Sequence, residues 1–190
     1  MARTVTEKID LVPKLLELFC RYGIDGVSIR MVGENTGLGK GSIYYFFPSG
    51  KSDMVDFVIL NAERFLNDKL LLLTENRIKG KKGIEEFLNT FLSDKDFLLY
   101  IHFMSCLALS HLRVLYMEKL NLFYKDLTMK LAKVITKEGY SNSKAWNIAE
   151  NVIVSIYGSY LFSCSLEDKI YFPNRIKKLN KILMENLKST

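Results

Sequence analysis

The chain is 190 residues long, carries 27 Lys and Arg against 21 Asp and Glu for a formal net charge of +6, and is 48% hydrophobic. That size and apolarity exclude a disordered chain and allow a sizeable core, and three prolines against ten tyrosines and twelve phenylalanines favour long helices around aromatic side chains. Cys20, Cys106 and Cys164 are odd in number and far apart, which excludes a disulfide framework and indicates a reducing compartment.

No metal or cofactor is expected, because His102 and His111 are the only histidines, nine residues apart, and no ligand spacing surrounds them. The first residues, MARTVTEKIDLVPK, show no secretory signal. The most apolar segment, Phe97 to Met117, is interrupted by His102, Ser105, Ser110, His111 and Arg113, whereas a membrane span needs about 20 predominantly apolar residues. A cytoplasmic protein with no membrane partner is the expectation.

Taken in chain order, Val12, Leu15, Leu16, Leu18 and Phe19 recur at helical spacing until Tyr22-Gly23, with Pro13 near the start of the regular part. Ser28 caps a second helix carrying Ile29, Val32 and Gly33, which Gly37 ends. A third, under three turns long, starts near Gly39 or Lys40 and stops before Pro48. Ser49 or Ser52 opens a long fourth helix through Met54, Phe57, Val58, Leu60 and Phe65. The glycines and charges of RIKGKKG mark a hinge near residues 77–83. Helical stretches follow over about 84–93, 97–110, 112–137, 143–164 and 174–187, the last beginning after Pro173. The fold class is all-α with about nine helices, and residues 1–50 and 51–190 form separate domains.

The stretch GLGKGSIYYFF concentrates three glycines and four aromatics. Gly37, Gly39 and Gly41 lack the spacing of a phosphate-binding loop. Two short helices joined by a glycine-containing turn instead match a helix-turn-helix, whose second helix enters a major groove. Val32, Leu38, Ile43 and Phe46 then meet in a small core, with Gly33 as the small crossing point. Lys40, Gly41, Ser42, Tyr44 and Tyr45 fall on or near the other face, and at least one tyrosine is expected to be exposed. A lysine, a serine and a tyrosine suit phosphate and base-edge contact, and Gly41 lets a backbone approach closely. Bulk charge does not identify this region, since residues 1–53 hold seven Lys and Arg against six acids. The local pattern does: no acid lies between Glu34 and Asp53, where Lys40 and Lys51 stand.

Leu18-Phe19-Cys20-Arg21-Tyr22-Gly23, then Ser28, then Gly37 through Phe47, then Lys51 resemble the N-terminal domain of TetR-type transcriptional regulators over about residues 8–60. The resemblance implies that Ser28 and Arg30 lie near the DNA backbone, that Lys40, Gly41, Ser42 and Tyr45 lie on the recognition helix, and that Tyr44 and Lys51 hold phosphates. Gly39 stands where the family often has a serine cap. The resemblance further implies a larger C-terminal domain for dimerisation and effector binding. The turn FFPSGK and, within that larger domain, Lys130 through Leu161 resemble the LmrA-like branch, often linked to multidrug efflux.

On the stretch 143–164, Ala145, Ile148, Ala149, Val152, Ile156 and Tyr160 make one stripe, beside the small residues Ser155, Gly158, Ser159 and Ser163. With Leu179 and Leu183 of the last helix, the residues Val152, Ser155, Ile156, Ser159 and Tyr160 are the candidate homodimer interface, the competing reading being a stripe that closes the monomer core. Tyr100, His102, Phe103, Ser105, Phe123 and Tyr124 combine apolar and orienting polar groups and are the candidate site for a small, apolar or aromatic effector.

No paired carboxylates, metal set or nucleophile motif indicates an enzyme. The expected function is a homodimeric repressor that binds a palindromic double-stranded operator and is released by its ligand. The alternatives are a redox-sensing regulator acting through Cys106 or Cys164, both in apolar stretches that suggest inert core thiols, or a helical protein that binds no DNA.

Overall fold

The computed structural model describes residues 7–74 and 80–186, among which nine α-helices follow one 3-10 turn (Lys8–Leu11) and no strand occurs. The helices are α1 (Val12–Gly26), α2 (Ile29–Thr36), α3 (Lys40–Phe46), α4 (Lys51–Thr74), α5 (Gly80–Ser93), α6 (Lys95–Leu109), α7 (Arg113–Thr136), α8 (Asn142–Leu166) and α9 (Tyr171–Asn186). The all-α class and the number of helices agree with the sequence reading. The chain packs as two compact units: one is the chain up to Leu66 with Leu98–Leu120, the other Asn67–Phe97 with the chain from Asn121.

In the first unit, α1 buries Leu15, Leu16, Leu18 and Phe19, the last with its ring 5.7 Å from that of Phe103 on α6. Pro13 lies in the first turn of α1, where its missing N–H would have had no helical acceptor, so it starts the helix without interrupting it. The regular helix breaks at Gly23, whose φ of 70° is left-handed. Burial at the end of α3 differs from the expectation. Phe46 is half-buried, whereas Phe47 is 0% exposed, its ring 5.9 Å from Phe57 and the Lys8 ammonium 4.7 and 4.8 Å from the two ring centres. The chain leaves the helical conformation at Phe47 (φ −135°, ψ 74°) ahead of Pro48, which turns this side chain inwards.

In the second unit, α8 and α9 pack together and α5 packs on α9. Part of the expected hinge lies outside the described residues; from Gly80 onwards the chain is already α5, and the Lys81 N–H donates to the Glu138 carboxylate at 3.1 Å. The last helix begins two residues before Pro173 rather than after it, because the Asp168 carboxylate accepts from the N–H groups of Ile170 and Tyr171 and caps the first turn. Asp94 caps α6 in the same way through Asp96 and Phe97. Burial pushes the Asp94 carboxyl up, but the hydrogen bond from Lys69 and those from the backbone outweigh it and hold the group below its ordinary value.

The stripe on α8 that sequence reasoning assigned to a dimer interface lies largely inside the protomer. Val152, Ile156 and Ser159 are buried, as is Leu183 on α9, and Ser155, Tyr160 and Leu179 are half-buried. A side chain already covered within one chain has little area left for a second copy. Among the outward residues of α8, Val154, Gly158, Leu161, Phe162 and Ser165 recur at i, i+4, i+7, i+8 and i+11.

Candidate nucleic-acid interface

Helix α2 begins at Ser28, whose hydroxyl accepts from the Met31 N–H at 3.2 Å, and ends at Gly37, left-handed at φ 76°, whose N–H returns to the Gly33 carbonyl at 2.8 Å. The Thr36 hydroxyl steadies the turn by donating to the Val32 carbonyl and accepting from the Leu38 N–H. Helix α3 starts after Gly39 and buries Ile43, as α2 buries Val32, while Leu38 is half-covered. Gly33 lets the two helices approach: a Cβ there would stand 3.1 Å from the Leu38 carbonyl oxygen and 3.5 Å from Ile43 Cδ1.

This packing leaves Lys40, Gly41, Ser42, Tyr44 and Tyr45 all exposed on α3, with Tyr45 at 81%. Both tyrosines, not merely one, therefore reach solvent. Ile29, Arg30, Gly33, Leu38, Lys40, Ile43 and Tyr44 line an open groove of about 380 Å³. Ser28 and Arg30 are also exposed, so seven of the eight residues assigned to DNA contact are solvent-facing on α2, α3 or the α2 cap. The eighth, Lys51, is half-buried; its ammonium donates to the Asp25 carbonyl at 3.0 Å. That oxygen lies just beyond the break in α1 at Gly23.

Every cation among the described residues up to Asp53 has an internal partner. Lys8 sits over Phe47 and Phe57, Lys14 donates to the Thr36 carbonyl, Arg21 lies over Tyr22, Lys40 lies 6.0 Å from the Tyr44 ring centre, and Lys51 has Asp25. Arg30 differs in having a carboxylate: its Nε lies 2.7 Å from Glu34 Oε1, and this hydrogen bond and charge raise the guanidinium pKa further above its ordinary value.

A second polar cluster within this unit escaped the sequence reading. The Asp25 carboxylate accepts from the His111 N–H and faces its Nδ1, both at 3.2 Å. The Tyr116 hydroxyl lies 3.2 Å from the Ser52 carbonyl and 3.3 Å from the Asp56 carboxylate, which also pairs with Lys119 at 2.6 Å. Burial, with the charges of Asp56 and Asp53, pushes the Tyr116 phenol up to about 12. These contacts join residues more than 55 positions apart, and single residues of common type carry no signal of such pairing.

Of the residues assigned to an effector, Tyr100, His102, Phe103 and Ser105 fall in the first unit and Phe123 and Tyr124 in the second. Tyr100 is buried against Phe65, Phe103 against Phe19, and Ser105 donates to the Ile101 carbonyl; burial lowers the His102 pKa. Phe123, Tyr124 and Tyr157 form a chain of edge-on rings at 5.2 and 5.3 Å, and burial, then the neighbouring Tyr124, pushes the Tyr157 phenol well above its ordinary value. Cys106 is half-buried, but Cys164 is exposed, contrary to its reading as a core thiol. Among the described residues no group of three or more His, Cys, Asp or Glu could hold a metal, and no helix is long and apolar enough to cross a membrane.

Comparison with known proteins bears on the same segment. Residues 14–56 match the model of the family described as bacterial regulatory proteins, tetR family. A crystal structure of a TetR transcriptional regulator from Legionella pneumophila superposes with a TM-score of 0.78 at 18% identity, over 95% of this chain and 99% of that one. A probable transcriptional regulatory protein, RHA5900, superposes with a TM-score of 0.52 at 16% identity, over 75% and 85% of the two chains. Among curated proteins none matches.

Proposed function

Starting from a tetR-family domain over residues 14–56 on a fold shared with a TetR transcriptional regulator, we propose that this regulator is a homodimeric repressor. Residues 1–50 bind a palindromic operator, and residues 51–190 dimerise and bind a small, largely apolar effector. The observation that carries the reading is the two-sidedness of α3: Ile43 is buried while Lys40, Gly41, Ser42, Tyr44 and Tyr45 are all exposed, a face that packing within the chain does not use.

In this reading Ser42 and Tyr45 meet base edges, while Ser28, Arg30, Lys40, Tyr44 and Lys51 hold the DNA backbone. One short helix makes few contacts, so two copies read half-sites about 34–36 Å apart or a multiple of that. The outward apolar residues Val154, Leu161 and Phe162 of α8 support dimerisation through that face. The rings of Phe123, Tyr124 and Tyr157 support an aromatic effector. Its binding shifts the population towards a spacing of the two recognition helices that misfits the operator, in proportion to its preference for that state.

Light scattering on the protein saturated with a duplex bearing its selected site tests the stoichiometry. Two chains per duplex are expected, and one chain per duplex would overturn the dimeric reading. Exposure of Cys164 favours one alternative, a thiol sensor; for that reading DNA release must follow oxidation and vanish in Cys164→Ser.

A further inference from the structure

We propose that Glu34 is a specificity-determining residue of the DNA-binding face, acting through Arg30 to suppress non-specific binding. The proposal rests on the regulator reading above. Arg30 lines the groove between α2 and α3, with Lys40 and Tyr44 among its other lining residues. Its side chain is 87% exposed, so a duplex lying on α3 finds it accessible. Yet in the free protein its Nε is held by Glu34 at 2.7 Å, one helical turn away on the same face.

The partners of the other cations make this pair different. A lysine on a carbonyl oxygen or over an aromatic ring, as Lys14, Lys51 and Lys40 are, keeps its full positive charge and can add a phosphate oxygen without losing its first partner. A guanidinium paired with a carboxylate presents almost no net charge, and a phosphate that approaches it meets the carboxylate as well. Glu34 is also exposed, and no acid follows it in sequence until Asp53. Non-specific binding is the electrostatic part, driven by phosphate neutralisation and counterion release. Glu34 therefore reduces that part. On an operator the base contacts of Ser42 and Tyr45 hold one register, which keeps a phosphate against Arg30 and offsets the loss of the carboxylate; a random sequence has no such contacts to hold it there.

The test measures affinity by fluorescence anisotropy for a duplex selected by the wild-type protein and for a random duplex of equal length, at 50 and 200 mM salt. The proteins are wild type, Glu34→Gln, Arg30→Ala and the double variant; both side chains are exposed, so the fold is not at risk. Freed Arg30 adds about one phosphate contact, which steepens the salt slope by roughly 0.9. The random-duplex affinity of Glu34→Gln then falls by a further factor of about 3.5 over this fourfold salt range. Its preference for the selected duplex over the random one drops about threefold or more at the lower salt, and Glu34→Gln has no such effect in the Arg30→Ala background. An equal gain in random-duplex binding with and without Arg30 would mean simple repulsion by Glu34 and overturn the proposal, as would an unchanged random-duplex affinity. Failure of the wild-type protein to prefer any duplex is a separate result, seen before the variants are compared, and overturns the regulator reading together with this one.

Discussion

Gly37→Ala and Gly39→Ala lie two residues apart in the turn before α3 and should differ in cost. At Gly37 the backbone is left-handed (φ 76°), and a Cβ would meet nothing within 4 Å. The penalty is therefore conformational, about 1–2 kcal/mol for a left-handed L-residue. Stiffening of the unfolded chain returns about 0.4–1 kcal/mol, for a net loss near 1 kcal/mol. Gly39 has φ −67° and ψ 155°, open to any residue, and its Cβ also meets nothing. There the same unfolded-state gain is offset by alanine's poorer capping of α3, about 0.5–1 kcal/mol, so the net is near zero. For a chain of this length 1 kcal/mol moves Tm by about 2–4 °C. Trp146, the single tryptophan, sits on α8 in the second unit, so far-UV circular dichroism is the better probe. Operator affinity should fall with Gly37→Ala alone, because that turn orients α3. A Gly37→Ala protein as stable as Gly39→Ala would refute the argument that the left-handed turn is required.

Tyr116→Phe removes a buried hydroxyl and should cost about 1 kcal/mol in denaturant melts. Because the Tyr116 phenol is raised to about 12, it stays protonated in the folded chain while the unfolded chain ionises near 10. Its contribution is thus present below pH 10 and lost as pH rises towards 12, and the variant should lose stability less steeply over that window. Lys51→Ala should weaken binding about equally across duplex sequences and lower the salt slope by about 1, whereas Tyr45→Ala or Ser42→Ala should change sequence preference; anisotropy on a set of single-mismatch duplexes separates the two. Phe162→Asp, at a position 61% exposed in the protomer, should cost the fold little beyond the stacking of its ring on Tyr171 at 6.3 Å, and on the proposed reading should shift the protein to monomer in sedimentation.

The local elements were legible because each had a local cause. Ser28 and Gly37 bound α2 through their own cap chemistry, and Pro48 bounds α3 through sterics. The two-sided face of α3 followed from helical spacing alone, since Ile43 and Tyr45 cannot point the same way. The sequence says less where a choice depends on partners far along the chain. Periodicity found the apolar stripe of α8 but not which of its residues the protomer covers; Val152 and Ile156 are buried and Phe162 is exposed. Phe46 and Phe47 are chemically alike, and only the backbone turn at Phe47 decided which was buried. Nothing local predicts that Asp25 meets His111 or Tyr116 meets Ser52. The Arg30–Glu34 pair, by contrast, stood in the sequence at i, i+4 spacing and could have been read from it.

The central claim, that the exposed face of α3 reads a symmetric DNA site, is tested most directly by selecting bound fragments from random duplex DNA with the purified protein and titrating the selected sequence at two salt concentrations. The account predicts a two-fold symmetric site whose preference over random DNA persists at the higher salt. Weak binding without sequence preference that vanishes with salt would contradict it and leave the α3 face without its assigned role.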